Sequence, residues 1–150
     1  MQLNKPKFWD KKSFLTYLLF PFSVLVMLFV YLKKKTAKSL KFNIPIICVG
    51  NIYVGGTGKT PTSIYLAKAL SKIGRNPVIL RKYYRNHIDE HEILQKNFDN
   101  VIINTERAKG ILEAINKKHD SVILDDGFQD YKIKKDLNII CFNQNQLLGN

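Results

Sequence analysis

Gly55-Gly56-Thr57-Gly58-Lys59-Thr60 packs three glycines, a lysine and two hydroxyls into six residues, and Asp125-Asp126 sets two carboxylates side by side further along. Glycines let a backbone curl with its N–H groups turned inward, the cradle that a polyphosphate needs. In such a loop Lys59 reaches the β- and γ-phosphates while the Thr60 hydroxyl ligates Mg²⁺. Val54, Gly55, Gly56, Thr57, Gly58, Lys59 and Thr60 are therefore the expected nucleotide-binding residues. The spacing departs from the general G-x-x-x-x-G-K-[ST] pattern, which asks for glycine where this chain has Tyr53. An apolar run ending in carboxylate, Val122-Ile123-Leu124 into Asp125-Asp126, is the usual partner of such a loop, because a buried strand end fixes an anion beside it. Asp126 and Thr60 are expected to hold Mg²⁺, with Asp125 supporting the metal and its waters. Asp-Asp-Gly on its own is also a common turn.

The elements needed to position these residues are legible. Ile44 to Val49 reads as a strand leading into the loop. An amphipathic helix follows it, with Ile64, Leu66, Ala67, Leu70 and Ile73 as the apolar stripe and Gly74 as the stop. Further strands are expected at Pro77 to Leu80, Asn100 to Asn104, Ser121 to Leu124 and Leu137 to Phe142. Helices are expected at Glu90 to Phe98 and at Glu106 to Lys118, the latter with Ile111, Leu112 and Ile115 on one face. Arg81 to Asp89 reads as a polar connection. Strands alternating with helices imply an α/β fold, a parallel P-loop NTPase-like sheet flanked by helices.

Ahead of this domain, Phe14 to Leu32 carries no charge and as a helix is roughly 28 Å long, close to the hydrocarbon thickness of a bilayer. An amino-terminal membrane helix is expected over 14–32, after a basic flank at 1–13 and before a basic linker at 33–43, with the P-loop domain over 44–150. Lysines flank both ends, so charge leaves the orientation balanced, and the loop's need for cytosolic ATP puts the domain on the cytoplasmic side. The 150 residues hold 24 Lys plus Arg against 12 Asp plus Glu, a net charge of +12 that favours anionic partners such as nucleotides or lipid headgroups. Cys48 and Cys141 sit in apolar runs without metal-ligand spacing and read as reduced core residues.

Gly50-Asn51-Ile52-Tyr53-Val54-Gly55-Gly56-Thr57-Gly58-Lys59-Thr60-Pro61 and Leu124-Asp125-Asp126-Gly127-Phe128-Gln129 together resemble the tetraacyldisaccharide 4'-kinase family of lipid A biosynthesis. The non-glycine at Tyr53 is that family's own departure from the general loop. The resemblance implies transfer of the ATP γ-phosphate, with Mg²⁺, to the 4'-hydroxyl of a tetraacyldisaccharide 1-phosphate at the cytosolic face of the bacterial inner membrane. Membrane lipids are implied as neighbours, and nucleic acid is not. Leu80-Arg81-Lys82-Tyr83 and Ile88-Asp89-Glu90-His91 resemble two further family segments in degraded form. The second implies Asp89 as the base for the acceptor hydroxyl, although a helix N-cap explains it as well. Arg81 is a candidate phosphate contact or a salt-bridged arginine, and Arg107 a family arginine or a helix-surface charge. His91 is a candidate to tune Asp89, although a lone exposed histidine is the simpler reading.

The resemblance covers the first half of the family, and Asn143 stands where the family usually has Asp. Two alternatives remain: a membrane-tethered partitioning-type ATPase, opposed by Val54 in place of that family's signature lysine, and a nucleotide-binding remnant without activity.

Overall fold

The computed structural model describes residues 14–36, 39–51, 57–85 and 88–142, with backbone only for Leu15, Thr16 and Ile88. The chain divides into two units, one holding the amino-terminal helix and the other formed by Ser39–Leu147. In the first, α1 (Phe14–Thr36) is one 23-residue helix containing Pro21. It continues four residues past the charge-free run, through Lys33, Lys34 and Lys35, whose long stems stay compatible with an apolar surface while their ammonium groups reach for water. The described side chains of α1 are exposed, Phe20 and Met27 to 66% and 71%, and the helix is long and apolar enough to cross a membrane.

The second unit is a five-stranded parallel sheet in the order β3-β2-β4-β1-β5. Its elements run β1 (Ile46–Gly50), α2 (Lys59–Lys72), β2 (Pro77–Lys82), α3 (Ile88–Asn97), β3 (Val101–Asn104), α4 (Arg107–Asn116), β4 (Ser121–Asp125) and β5 (Leu137–Ile140). The β1–α2–β2–α3–β3–α4–β4 order is the alternation the sequence implies. Between β4 and β5 the chain uses turns in place of a helix, and a parallel bridge from Leu40 to Ile133 pins that connection.

Successive strand residues point to opposite faces, so the core has two layers. One packs Ile46, Cys48, Leu80, Val122 and Leu124 against Ile111 and Ala114 of α4. The other packs Val49, Ile79 and Ile123 against Ala67 of α2 and Leu94 of α3. β4 lies between β2 and β1 and is buried along its whole length, as the apolar run Val122 to Leu124 suggests.

Two boundaries and one helix face differ from expectation in ways that bear on the site. β2 extends two residues beyond Leu80 and so takes Arg81 into the sheet, in register with Asp125. α3 begins at Ile88, which puts Asp89 in the first turn of the helix, not at its N-cap. The buried face of α4 is Arg107, Gly110, Ile111 and Ala114, whereas Leu112 and Ile115 are exposed. Gly110 lies there because the Leu80 side chain fills the place a Cβ would take, 2.4 Å from its methyl carbon. α2 ends as expected: Gly74, at φ 80°, closes the helix, and the amides of Gly74 and Arg75 donate to Ser71 and Leu70.

Candidate functional site

β1 and β4 are adjacent and parallel, with Val49 opposite Asp125, so the loop that leaves β1 and the carboxylates that end β4 emerge at the same edge of the sheet. This is the crevice outside the strand ends where open α/β sheets bind ligands. Of the expected nucleotide-binding residues, Thr57, Gly58, Lys59 and Thr60 are described, and Val54, Gly55 and Gly56 lie outside the described residues. Gly58 precedes α2 at φ 80°, a left-handed conformation that glycine adopts without strain. Lys59 and Thr60 then open the helix, whose free amides and dipole favour an anion at that end. Pro61 falls in the first turn, where its missing N–H removes no helical hydrogen bond.

Lys59 Nζ donates to Asn51 Oδ1 at 3.0 Å and lies 3.0 Å from Asp126 Oδ1, so both motifs meet on this ammonium. Thr60 Oγ1 donates to Asp125 Oδ2 at 3.1 Å, and Ser63 Oγ donates to Asp125 Oδ1 at 2.9 Å. Ser63 was not expected, although its place three residues after Thr60 puts it on the same helix face. Arg81 completes the cluster. Its guanidinium, 5% exposed, pairs with Asp125 and, at its other nitrogen, with Glu90, and it reaches Thr60 Oγ1 at 3.3 Å. Asp125 is wholly buried, and burying its charge is tolerable only because a full cation and two hydroxyls face it.

The turn after β4 is built to hold Asp126 in place. Asp126 has φ 59°, a left-handed conformation that aspartate visits more readily than most residues, and its amide donates to Val49 O at 2.9 Å. Arg107, buried at the start of α4, donates to the Asp126 carbonyl and lies 3.6 Å from Asp130 Oδ2. Arg107 thus belongs to the clamp of this turn, and the surface-charge alternative is excluded by its burial. Lys135 donates to the carbonyls of Phe128 and Asp130, at 3.4 and 2.8 Å. Burial holds the Lys135 ammonium below the usual lysine range. Beneath the turn, burial pushes the Cys48 thiol up to about 11, against the opposing charge of Lys135. Cys48 and Cys141 are both buried free thiols, as their apolar surroundings suggest.

Asp89 is brought to the cluster only indirectly. It is exposed and forms no hydrogen bond or ion pair among the described residues, while its neighbour Glu90 makes the link to Arg81. His91 is buried and stacks on Tyr83, ring centres 5.6 Å apart, so it helps join α3 to the end of β2. His87 and Asn143 lie outside the described residues.

The donor set suits a hard divalent cation such as Mg²⁺. A threonine hydroxyl and two carboxylates offer oxygen only, and they stand next to a loop whose Thr57 Oγ1 is buried without a hydrogen-bond partner among the described residues. Such a hydroxyl suits a further acceptor, for example a phosphate oxygen.

A model of the tetraacyldisaccharide-1-P 4'-kinase family matches residues 15–150. The tetraacyldisaccharide 4'-kinase of Pelagibacter ubique is 44% identical over 152 residues, an alignment taking in 100% of this chain and 48% of that protein. The tetraacyldisaccharide 4'-kinase of Rickettsia canadensis is 35% identical over 165 residues, with 100% and 51% covered. Among solved structures, the chain is similar to LpxK from Aquifex aeolicus in complex with ATP, with a TM-score of 0.74 and 30% identity over 89% of this chain and 51% of that one. The chain spans about half the length of the curated relatives it matches.

Proposed function

Because the chain belongs to the tetraacyldisaccharide 4'-kinase family, we propose that it carries the nucleotide-handling part of an ATP-dependent kinase that phosphorylates the 4'-hydroxyl of a tetraacyldisaccharide 1-phosphate in lipid A biosynthesis. The observation that carries this reading is the meeting of Lys59 with Asp126, and of Thr60 with Asp125, at one end of the β1–β4 pair. ATP supplies the phosphoryl group and Mg²⁺ neutralises charge on its phosphates. The chain's own residues do the positioning. Lys59 offers its ammonium to the β- and γ-phosphates. Val54, Gly55, Gly56, Thr57 and Gly58 supply backbone N–H groups, and the amino end of α2 adds its dipole. Thr60, Asp125 and Asp126 hold the metal, and Ser63 keeps the Asp125 carboxylate turned toward Thr60.

Asp89 accepts the proton of the acceptor hydroxyl, a role its exposed place in the first turn of α3 leaves open to an incoming substrate. α1 inserts into the bacterial inner membrane with the domain on its cytoplasmic side, and the lysines at its end meet anionic headgroups. This brings the site to the surface where an acylated, anionic acceptor resides.

The test is equilibrium binding of a fluorescent ATP analogue with Mg²⁺, together with transfer of radiolabelled γ-phosphate to the disaccharide acceptor. Lys59→Ala is expected to weaken binding at least about tenfold and to remove transfer, since a preorganised cation on a transferring phosphate contributes a factor on the order of 10² or more. Unchanged binding and transfer in this variant would overturn the assignment.

A further inference from the structure

Arg81 is a buried cation to which the proposed transfer gives no part, and it stands against the groups proposed to hold the metal. Its Nη1 touches both Thr60 Oγ1 and Asp125 Oδ2, the two groups assigned to the metal, while Nη2 is held by Glu90. The guanidinium fork thus spans three acceptors on three separate elements: β4, α2 and α3. We propose that Arg81 is a placeholder for the divalent cation, occupying the Thr60–Asp125 seat until Mg²⁺ takes it and then withdrawing toward Glu90.

The proposal rests on the kinase reading, since it takes Thr60 and Asp125 as metal-holding residues. Three observations support it. First, Asp125 is wholly buried, so its charge needs a counter-charge at all times, and the fork supplies one when the metal does not. Second, a guanidinium and a divalent cation cannot both lie against the same hydroxyl and carboxylate oxygen in a buried place without strong repulsion, so one must leave as the other enters. Third, the present pose is incompletely satisfied. Arg81 Nε is buried without a hydrogen-bond partner among the described residues, a cost that a second pose can remove. Glu90 provides the destination, because it already pairs with Nη2 while Asp125 pairs with Nη1, and its side chain, in the first turn of α3, is 42% exposed. Arg81 acts here as a positioning residue: it keeps the carboxylate in place and makes metal entry conditional on its own displacement.

The experiment is Mn²⁺ binding to the whole chain, followed by electron paramagnetic resonance with and without ADP, alongside thermal melts with and without Mg²⁺. Arg81→Lys keeps the charge and loses the fork. It is expected to bind Mn²⁺ about fivefold tighter than the unaltered protein, the equivalent of one lost competing hydrogen bond. Arg81→Met is expected to bind tighter still, with a lower melting temperature that Mg²⁺ raises more than in the unaltered protein. Glu90→Gln, at a half-exposed position that should not disturb folding, is expected to bind Mn²⁺ more weakly, because Arg81 loses its alternative partner. A purely electrostatic influence of Arg81 predicts no change in Arg81→Lys, and a purely structural role predicts weaker binding in all three variants. Either result would overturn the placeholder. Absence of Mn²⁺ binding in every form, with or without ADP, would instead remove the metal assignment and the kinase reading with it.

Discussion

Asp125 and Asp89 stand at opposite extremes of the same candidate site. Asp125 ends a strand buried along its whole length and is met by Thr60, Ser63 and Arg81. Asp89 is exposed in the first turn of a helix covering one face of the sheet, and only its neighbour Glu90 is tied to the cluster. The difference follows the work proposed for each. A carboxylate that holds a metal must stay fixed, which burial and three polar neighbours ensure. A base that receives a proton from an incoming hydroxyl must stay reachable, and its geometry is completed by substrate.

That contrast can be broken at its buried end first. Asp125→Asn leaves the Arg81 guanidinium buried without its full counter-charge, so unfolding in urea should show a loss of about 3–5 kcal/mol, as for other buried pairs cut on one side. A loss under about 1 kcal/mol would mean that the cluster is not a buried ion pair in solution. One step outward, Arg107→Ala removes the donor to the Asp126 carbonyl and the neighbour of Asp130. A destabilisation of about 1.5–3 kcal/mol is expected, with weaker Mg²⁺-dependent nucleotide binding because Asp126 loses its fixed turn. Unaltered nucleotide binding in that variant would show that the clamp serves the fold alone. At the exposed end, Asp89→Asn should shift stability by no more than about 0.5 kcal/mol, as exposed positions usually do. Transfer to the acceptor should nevertheless fall on the order of 10²–10⁴-fold, the usual contribution of a general base. Full transfer activity would remove Asp89 from the mechanism and sharpen the case that α3 contributes through Glu90 instead.

Much of the central architecture was legible because local pattern and global fold agree there. An apolar strand, a glycine-rich loop and a helix stop at Gly74 each carry their own local signal, and β1, Gly58 and α2 lie where those signals put them. Arg81 was not legible as a strand residue. A charged side chain after four apolar residues reads as the end of a buried strand, and its burial is tolerable because Asp125, forty-four residues away, and Glu90 pair with it. The face of α4 was misread for a related reason. Leu112 looks like the better core residue, yet Gly110 is required by the Leu80 side chain and Arg107 by the turn after β4. Both are demands from elsewhere in the fold, which periodicity does not carry. Asp89 shows the converse: its segment carries the resemblance, but α3 begins two residues before the apolar pattern marks it and so takes Asp89 into its first turn.

Gly50 lies where β1 enters the loop, and the Phe128 ring rests against it so closely that a Cβ there would come within 2.8 Å of two ring carbons. Gly127 is crowded in the same way by Cys48 and Leu124, both at 2.9 Å. The two motifs are therefore not free to drift apart as the protein evolves. A methyl group at position 50 has room only if residue 128 shrinks, and a smaller residue at 128 opens space that position 50 can fill. Positions 50 and 128, seventy-eight residues apart in the chain, should change together across descendants of this sequence, as one inherited unit of shape.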